Sequence, residues 1–203
     1  MKRRICLLLI FLALGMITPG EANEQKVGRY FPVGGGYVWD FAGEGIEFAE
    51  FIKKVEYLQG NRVQLSRWDG GTRLMQIYEI TPSAIIRTFS RAEVYDNPKY
   101  FQEPANQATV ILQTPLAVGT TWENAVDRRT IVSTTAKVKV PAGEFKSVIV
   151  VKITSLVSEI MDNSYTLEYY AADTGLILQE YFGLNDFKVS SKLKSFNKQK
   201  SPE

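Results

Sequence analysis

Apolar and polar residues alternate through most of the chain beyond residue 30, and the period is two. Val132, Ala136, Val138 and Val140 share one face of a segment whose other face carries Ser133, Thr135, Lys137 and Lys139. Phe187, Val189 and Leu193 stand opposite Lys188, Ser190, Lys192 and Lys194, and Tyr165, Leu167 and Tyr169 repeat the spacing. Successive side chains of a strand point to opposite faces, so this period predicts half-buried strands and not helices. Strands are expected near 37–42, 46–58, 62–68, 72–80, 84–94, 108–113, 128–140, 145–158, 164–171, 175–182 and 187–195. Between them stand Gln59-Gly60-Asn61, Asp69-Gly70-Gly71, Pro141-Ala142-Gly143-Glu144, Asp173-Thr174-Gly175 and Gly183-Leu184-Asn185-Asp186. These supply the positive-φ positions that tight hairpins require. Phe145 to Ser158 is apolar on both faces, which predicts a strand at the centre of the sheet. Tyr95 to Gln107, with two prolines, is expected to be a surface excursion.

An internal repeat organises these strands. Pro32 to Trp39 and Pro115 to Trp122 share the form Pro-aliphatic-x-x-Gly-x-x-Trp, and the offset that relates them also carries Gly60 onto Gly143. The expected fold is all-β: an antiparallel meander forming a curved sheet or open barrel, with related halves at about 30–112 and 113–195. One core serves both, since a lone meander leaves its apolar face wet.

Val140-Pro141-Ala142-Gly143-Glu144-Phe145-Lys146 and Tyr169-Tyr170-Ala171-Ala172-Asp173-Thr174-Gly175-Leu176-Ile177 carry a resemblance. The chain resembles a family of uncharacterised exported bacterial proteins that have a V-P-A-G-x-F hairpin and then a Y-Y-x-x-x-x-G-L hairpin. Pro115 to Trp122 precedes them in the same order, and the likeness covers about 115 to 195. More distantly, the plan looks like the β half-barrels of periplasmic lipoprotein carriers. The resemblance implies an exported β-domain and brings no catalytic residues with it.

The N-terminus changes the picture of where this domain works. Lys2, Arg3 and Arg4 precede the apolar run Ile5 to Ile17, and small residues Gly20 and Ala22 close the segment. This is the form of a secretory signal cut after Ala22, and a run of about 13 residues falls short of the roughly 20 that span a bilayer. Residues 1–22 are therefore expected to be a signal peptide, and 23–203 a single β domain, extracellular or in the cell envelope. Of 24 Lys and Arg three leave with the signal, and of 22 Asp and Glu one leaves, so the mature domain has 21 of each. A neutral domain has no global field to draw in nucleic acid. The only cysteine is Cys6, so the mature domain has no disulfide.

Candidate chemistry is sparse. The sequence contains no histidine, which removes Ser-His-Asp and Cys-His triads and His-ligated zinc. No cofactor or metal is expected: Asp162-Asn163-Ser164 lacks the spacing of a calcium loop, and Gly34-Gly35-Gly36 lacks the Gly-Lys-Ser/Thr of a phosphate loop. Asp40, Glu44, Glu47 and Glu50 crowd together, and a carboxylate pair can hydrolyse a glycoside. Lys53 and Lys54 follow closely, and a neutralised strand face is the expected reading. Ser195-x-x-Lys198 lies in a tail, unlike the acyl-enzyme motif at a helix start.

Among the aromatic residues, Trp39, Trp68 and Trp122 with Tyr169, Tyr170, Tyr181 and Phe182 are candidates for a binding concavity. Trp39 and Trp122 are expected in the core. Trp68, beside a Gly-Gly turn, is expected to be exposed and is the candidate ligand contact. Lys188, Lys192, Lys194, Lys198 and Lys200 form a basic stripe suited to peripheral contact with anionic headgroups or wall polymers. It equally suits a lysine-guarded edge strand, which is the reading preferred here. The expected function is an exported, non-enzymatic binding or scaffolding module of the cell envelope, its partner an envelope component or a hydrophobic small molecule. The alternatives are a carrier of lipid or another hydrophobic ligand, and a carboxylate-dependent glycan hydrolase.

Overall fold

A computed structural model describes residues 26–157 and 164–198. The signal segment with Ala22, the Asp162-Asn163 pair and Lys200 lie outside the described residues. The period-two pattern becomes twelve strands: β1 (Tyr37–Glu44), β2 (Phe51–Gln59), β3 (Arg62–Trp68), β4 (Arg73–Ile80), β5 (Ala84–Arg91), β6 (Thr109–Gln113), β7 (Thr121–Glu123), β8 (Asp127–Val140), β9 (Gly143–Ser155), β10 (Tyr165–Ala171), β11 (Gly175–Phe182) and β12 (Lys188–Lys198). Eleven correspond to expected strands. The twelfth, β7, is three residues long, too short to display a period. The expected 46–58 strand begins later than its pattern, because Glu47–Ala49 forms a 3-10 turn.

All strands lie antiparallel in one sheet of order β6-β5-β4-β3-β2-β1-β12-β11-β10-β9-β8-β7. The first six strands form one meander and the last six another. They join where β1 pairs with β12, from Tyr37 opposite Lys198 to Glu44 opposite Ser190, with a bulge at Asp40/Phe41. The strand expected to be a lysine-guarded edge is therefore an interior one, hydrogen-bonded on both sides. Its lysines meet acids on the neighbouring strands: Lys192 lies 2.7 Å from Glu44, Lys194 3.2 Å from Asp40 and Lys188 2.7 Å from Glu180.

A second expectation is corrected at β9, which lies third from the β7 edge and not at the sheet centre. Val148 to Val151 are all buried nonetheless. The long β8–β9 hairpin carries three irregularities in register between Ile131 and Val138, and such bulges bend a strand. Its tip reaches β12, three strands away, where Ala142 N–H donates to Leu193 O at 2.9 Å. Double burial here comes from curvature.

The sheet edges β6 and β7 are bridged by side chains in place of a backbone ladder. The Asn124 amide acts as a peptide surrogate: Val110 N–H donates to its Oδ1 at 2.8 Å, and its Nδ2 donates to Val110 O at 3.1 Å. Trp122 Nε1 donates to the same carbonyl at 2.9 Å. At one end of the sheet the 3-10 turn Val27–Tyr30 packs against β5 and β11, with Val27 and Tyr30 almost wholly buried. Asp173 N–H donates to Arg29 O at 2.7 Å, and Trp39 Nε1 donates to Thr174 O at 2.7 Å, tying that turn region to β1. One large core occupies the concave side.

The excursion over 95–107 runs back across the outer face of β3, β4 and β5. There Val94 and Tyr100 join Met75, Ile77 and Phe89 in a second small core. Gln64 fastens it with both ends of its amide, donating to Pro98 O at 2.8 Å and accepting from Tyr100 N–H at 2.8 Å. A stretch expected only to be exposed is thus partly a packed flap.

Candidate functional site

Strand alternation carries alternate residues of neighbouring strands into one internal space. Trp39 and Phe41 enter from β1, Phe51 and Lys53 from β2, Leu65 and Arg67 from β3, Gln76 and Tyr78 from β4, and Glu168 and Tyr170 from β10. Each pair is two residues apart, so both members share a face. Arg87, Ile111, Arg129 and Gln179 add one residue each, and Phe31, Pro32 and Leu176 lie on the side of the N-terminal 3-10 turn. The chamber they enclose measures about 130 Å³.

Its walls mix aromatic and charged groups. Aromatic surface comes from β1 and β2, where Phe41 and Phe51 stack with ring centres 4.4 Å apart. Charge is set among and beside these rings: four cations line the chamber against a single carboxylate, Glu168, among the described residues. That carboxylate already accepts three hydrogen bonds. Arg129 donates to it at 3.1 Å, the Tyr170 hydroxyl at 2.5 Å and Gln179 Nε2 at 3.1 Å. Asp127 lies 3.3 Å from Arg129 on its other side. Burial alone would lower the Arg129 pKa, but Glu168 and its neighbours hold it above the ordinary value. Burial, reinforced by Glu168, likewise keeps the Tyr170 phenol protonated well past its usual range.

The other three cations have no such match. Lys53 and Arg67 are register partners across β2 and β3, so two like charges face each other on the inner surface. Like charges directly opposite one another destabilise a sheet. Arg67 rests its guanidinium 4.1 Å from the Phe51 ring centre and donates one Nη2 bond to Phe48 O at 3.3 Å, while its buried Nε has no hydrogen-bond partner. Arg87 pairs in register with Tyr78 and donates Nε to Gln107 Oε1 at 3.0 Å. Neither Arg87, Arg67 nor Lys53 has a carboxylate within ion-pair distance among the described residues. Desolvation, with repulsion from Arg67 and Arg87, draws the Lys53 amine down to about 8 despite the opposing pull of Glu168.

The sequence-derived candidates distribute unevenly over this geometry. Trp39 and Tyr170 line the chamber. Trp68 is 50% exposed at the end of β3, beside its turn and away from the chamber lining. The acidic group disperses: Asp40 and Glu44 pair with β12 lysines, Lys192 holding Glu44 below its ordinary carboxylate range, while Glu47 and Glu50 are exposed. The expected neutralising partners are the wrong lysines, because Lys53 turns inward and Lys54 bonds Glu56 at 3.2 Å. Among the described residues no group of His, Cys, Asp and Glu is arranged to hold a metal, and Ser195 sits within β12 opposite Asp40.

Lys53, Arg67 and Arg87 were missed by sequence reasoning, although Val63-x-Leu65-x-Arg67 and Phe51-x-Lys53-x-Val55 contain a signal. In each, a charge falls in phase with the buried face.

No family model matches the chain, and a search of curated proteins finds no match. Two solved structures are similar in fold. One, from Bacteroides fragilis, is described as a candidate exported protein with a YmcC-like fold; it shares 15% identity at a TM-score of 0.47, covering 83% of this chain and 99% of its own. The other, described as a candidate lipoprotein from Parabacteroides distasonis, shares 14% identity at a TM-score of 0.48, covering 83% of this chain and 98% of its own.

Proposed function

We propose that this chain is an exported, non-enzymatic binding module of the cell envelope, and that it takes a small molecule into the chamber between its two meanders. The observation that carries this reading is the inward-facing pair Lys53–Arg67, set in a chamber of about 130 Å³ with Arg87 and no free carboxylate. Filling that space with apolar side chains would stabilise the domain more, since unmatched charge is costly even where it is partly buried. A pure scaffold has no use for such an arrangement, whereas a binding site does. The lining has one carboxylate among the described residues, Glu168, which speaks against the glycan-hydrolase alternative because glycoside hydrolysis uses two. Export rests on the segment Lys2 to Ala22.

Native mass spectrometry of the protein purified from its own host tests the reading. A small molecule retained by the folded protein and lost on unfolding is the expected result. Protein that carries no bound molecule at any solution pH or ionic strength overturns it.

A further inference from the structure

We infer that the chamber recognises a small organic oxyanion, a carboxylate or phosphate group on a compact apolar or ring-shaped body. This rests on the binding-module reading and adds the ligand's chemical class. Three features converge on it. Lys53, Arg67 and Arg87 place cationic donors in one partly enclosed space, none with a carboxylate at ion-pair distance among the described residues. Arg67 keeps a buried Nε–H with no partner, and a guanidinium offers its N–H groups in a planar fork that suits two oxygens of one anion. Phe41 and Phe51, with Trp39, supply an apolar wall for the part of the ligand that bears no charge.

The neutral donors strengthen the choice of an anion. Gln76 and Tyr78 lie in the same lining, and the Tyr78 hydroxyl is already spent on Gln76 Oε1 at 2.9 Å. That bond leaves the Gln76 side-chain NH₂ available as a donor. Of the lining acceptors, Glu168 already takes three hydrogen bonds and Gln76 Oε1 takes one, so donors dominate the open hydrogen-bonding capacity of the chamber. A cationic ligand meets repulsion from three side chains, and a neutral apolar ligand leaves all three charges unmatched. An oxyanion satisfies them.

Size limits the body. An engineered cavity of about 150 Å³ in another protein takes up one benzene ring, so a chamber of about 130 Å³ limits the body to a single ring or a short chain.

Calorimetric titration of the full protein with benzoate, benzamide, phenyl phosphate and inorganic phosphate tests this. Benzoate and phenyl phosphate should bind with Kd on the order of 1 mM or tighter, within what so few atoms can supply. Benzamide, matched in shape but uncharged, should bind about tenfold more weakly or worse, as should benzoate to Lys53→Met and to Arg67→Gln, each having lost a charge-assisted hydrogen bond. Lys146→Met, on an exposed β9 position, should leave the affinity unchanged.

Equal affinity for benzamide and benzoate overturns the anion while leaving the chamber as a binding site. Inorganic phosphate binding as tightly as phenyl phosphate overturns the organic body. Unchanged benzoate affinity in Lys53→Met overturns the assignment of the site. Absence of heat with every probe overturns the inference as a whole, and the mass-spectrometric experiment then judges the binding-module reading on its own evidence.

Discussion

Replacing Lys53 with Met should make the ligand-free protein more stable. Methionine keeps a straight, flexible side chain of similar length, so the substitution removes the charge while retaining most of the packing. The size of the gain follows from the amine's proton affinity. In the folded chain it falls from 10.5 to about 8, first through desolvation and then through repulsion by Arg67 and Arg87, against a smaller favourable pull from Glu168. At about 1.36 kcal/mol per unit, that fall corresponds to at most about 3 kcal/mol of strain in the charged folded state.

The sign sets the pH window. The unfolded chain keeps the lysine proton up to about pH 10.5 and the folded chain only up to about 8, so between these values the unfolded state binds more protons and stability rises with pH. Below pH 8 the charge is present in both states and the full cost applies. Urea midpoints of wild type and Lys53→Met, compared at pH 7 and near pH 10.5, measure it, and the difference between the two proteins cancels the titration of other groups. The variant should lead at pH 7 and lose most of that lead by pH 10.5. A variant less stable than wild type at pH 7, or a lead that does not narrow with rising pH, would refute the reasoning.

Other expectations are open to simpler tests. Trp39→Ala and Trp122→Ala should each cost about 3–5 kcal/mol in urea melts, since both rings are only 7% exposed and each indole N–H bonds a backbone carbonyl; a loss below about 0.5 kcal/mol at either, as exposed sites show, contradicts this. Asn124→Ala should cost about 1–3 kcal/mol by leaving Val110 N–H unpaired, with faster hydrogen exchange at Val110; unchanged exchange there means that the β6–β7 seam is closed by other contacts. Secreted or envelope-bound protein should begin at Asn23, within about two residues given how loosely such cuts are specified, and N-terminal sequencing that finds Met1 intact contradicts export.

Most of the strand layout was legible in the residues. The strands 62–68 and 175–182 occur with the expected limits, because Gly60 at φ 59° and Gly175 at φ 89° mark their turns. What escaped was the placing of strands beside each other. Lys188 to Lys198 reads as a guarded edge because alternating lysine is what an edge displays, yet Lys188, Lys192 and Lys194 face acids on β1 and β11, which no local pattern reveals. The chamber escaped for a related reason. Lys53 stands beside Lys54 and shortly after Glu47 and Glu50, so a run of mixed charge reads as a solvated face. The phase of Phe51-x-Lys53-x-Val55 points Lys53 inward, but that signal is lost in the mixed charge until the register with Arg67 is known.

The pairing of β1 with β12 also orders events in time. Tyr37 meets its partner Lys198 across 161 residues of chain, so a polypeptide made from its N-terminus has to finish its last strand before its first can be paired on that side. Until then β1 carries a free row of backbone donors and acceptors, the kind of edge that recruits other chains. Contacts so distant in sequence close slowly. The vulnerable species is therefore the nearly complete chain, in which ten or eleven strands stand ready and the joint between the two meanders is still open. A chain cut short before residue 188 would lose that joint altogether and leave β1 and β11 as unsatisfied margins facing the gap.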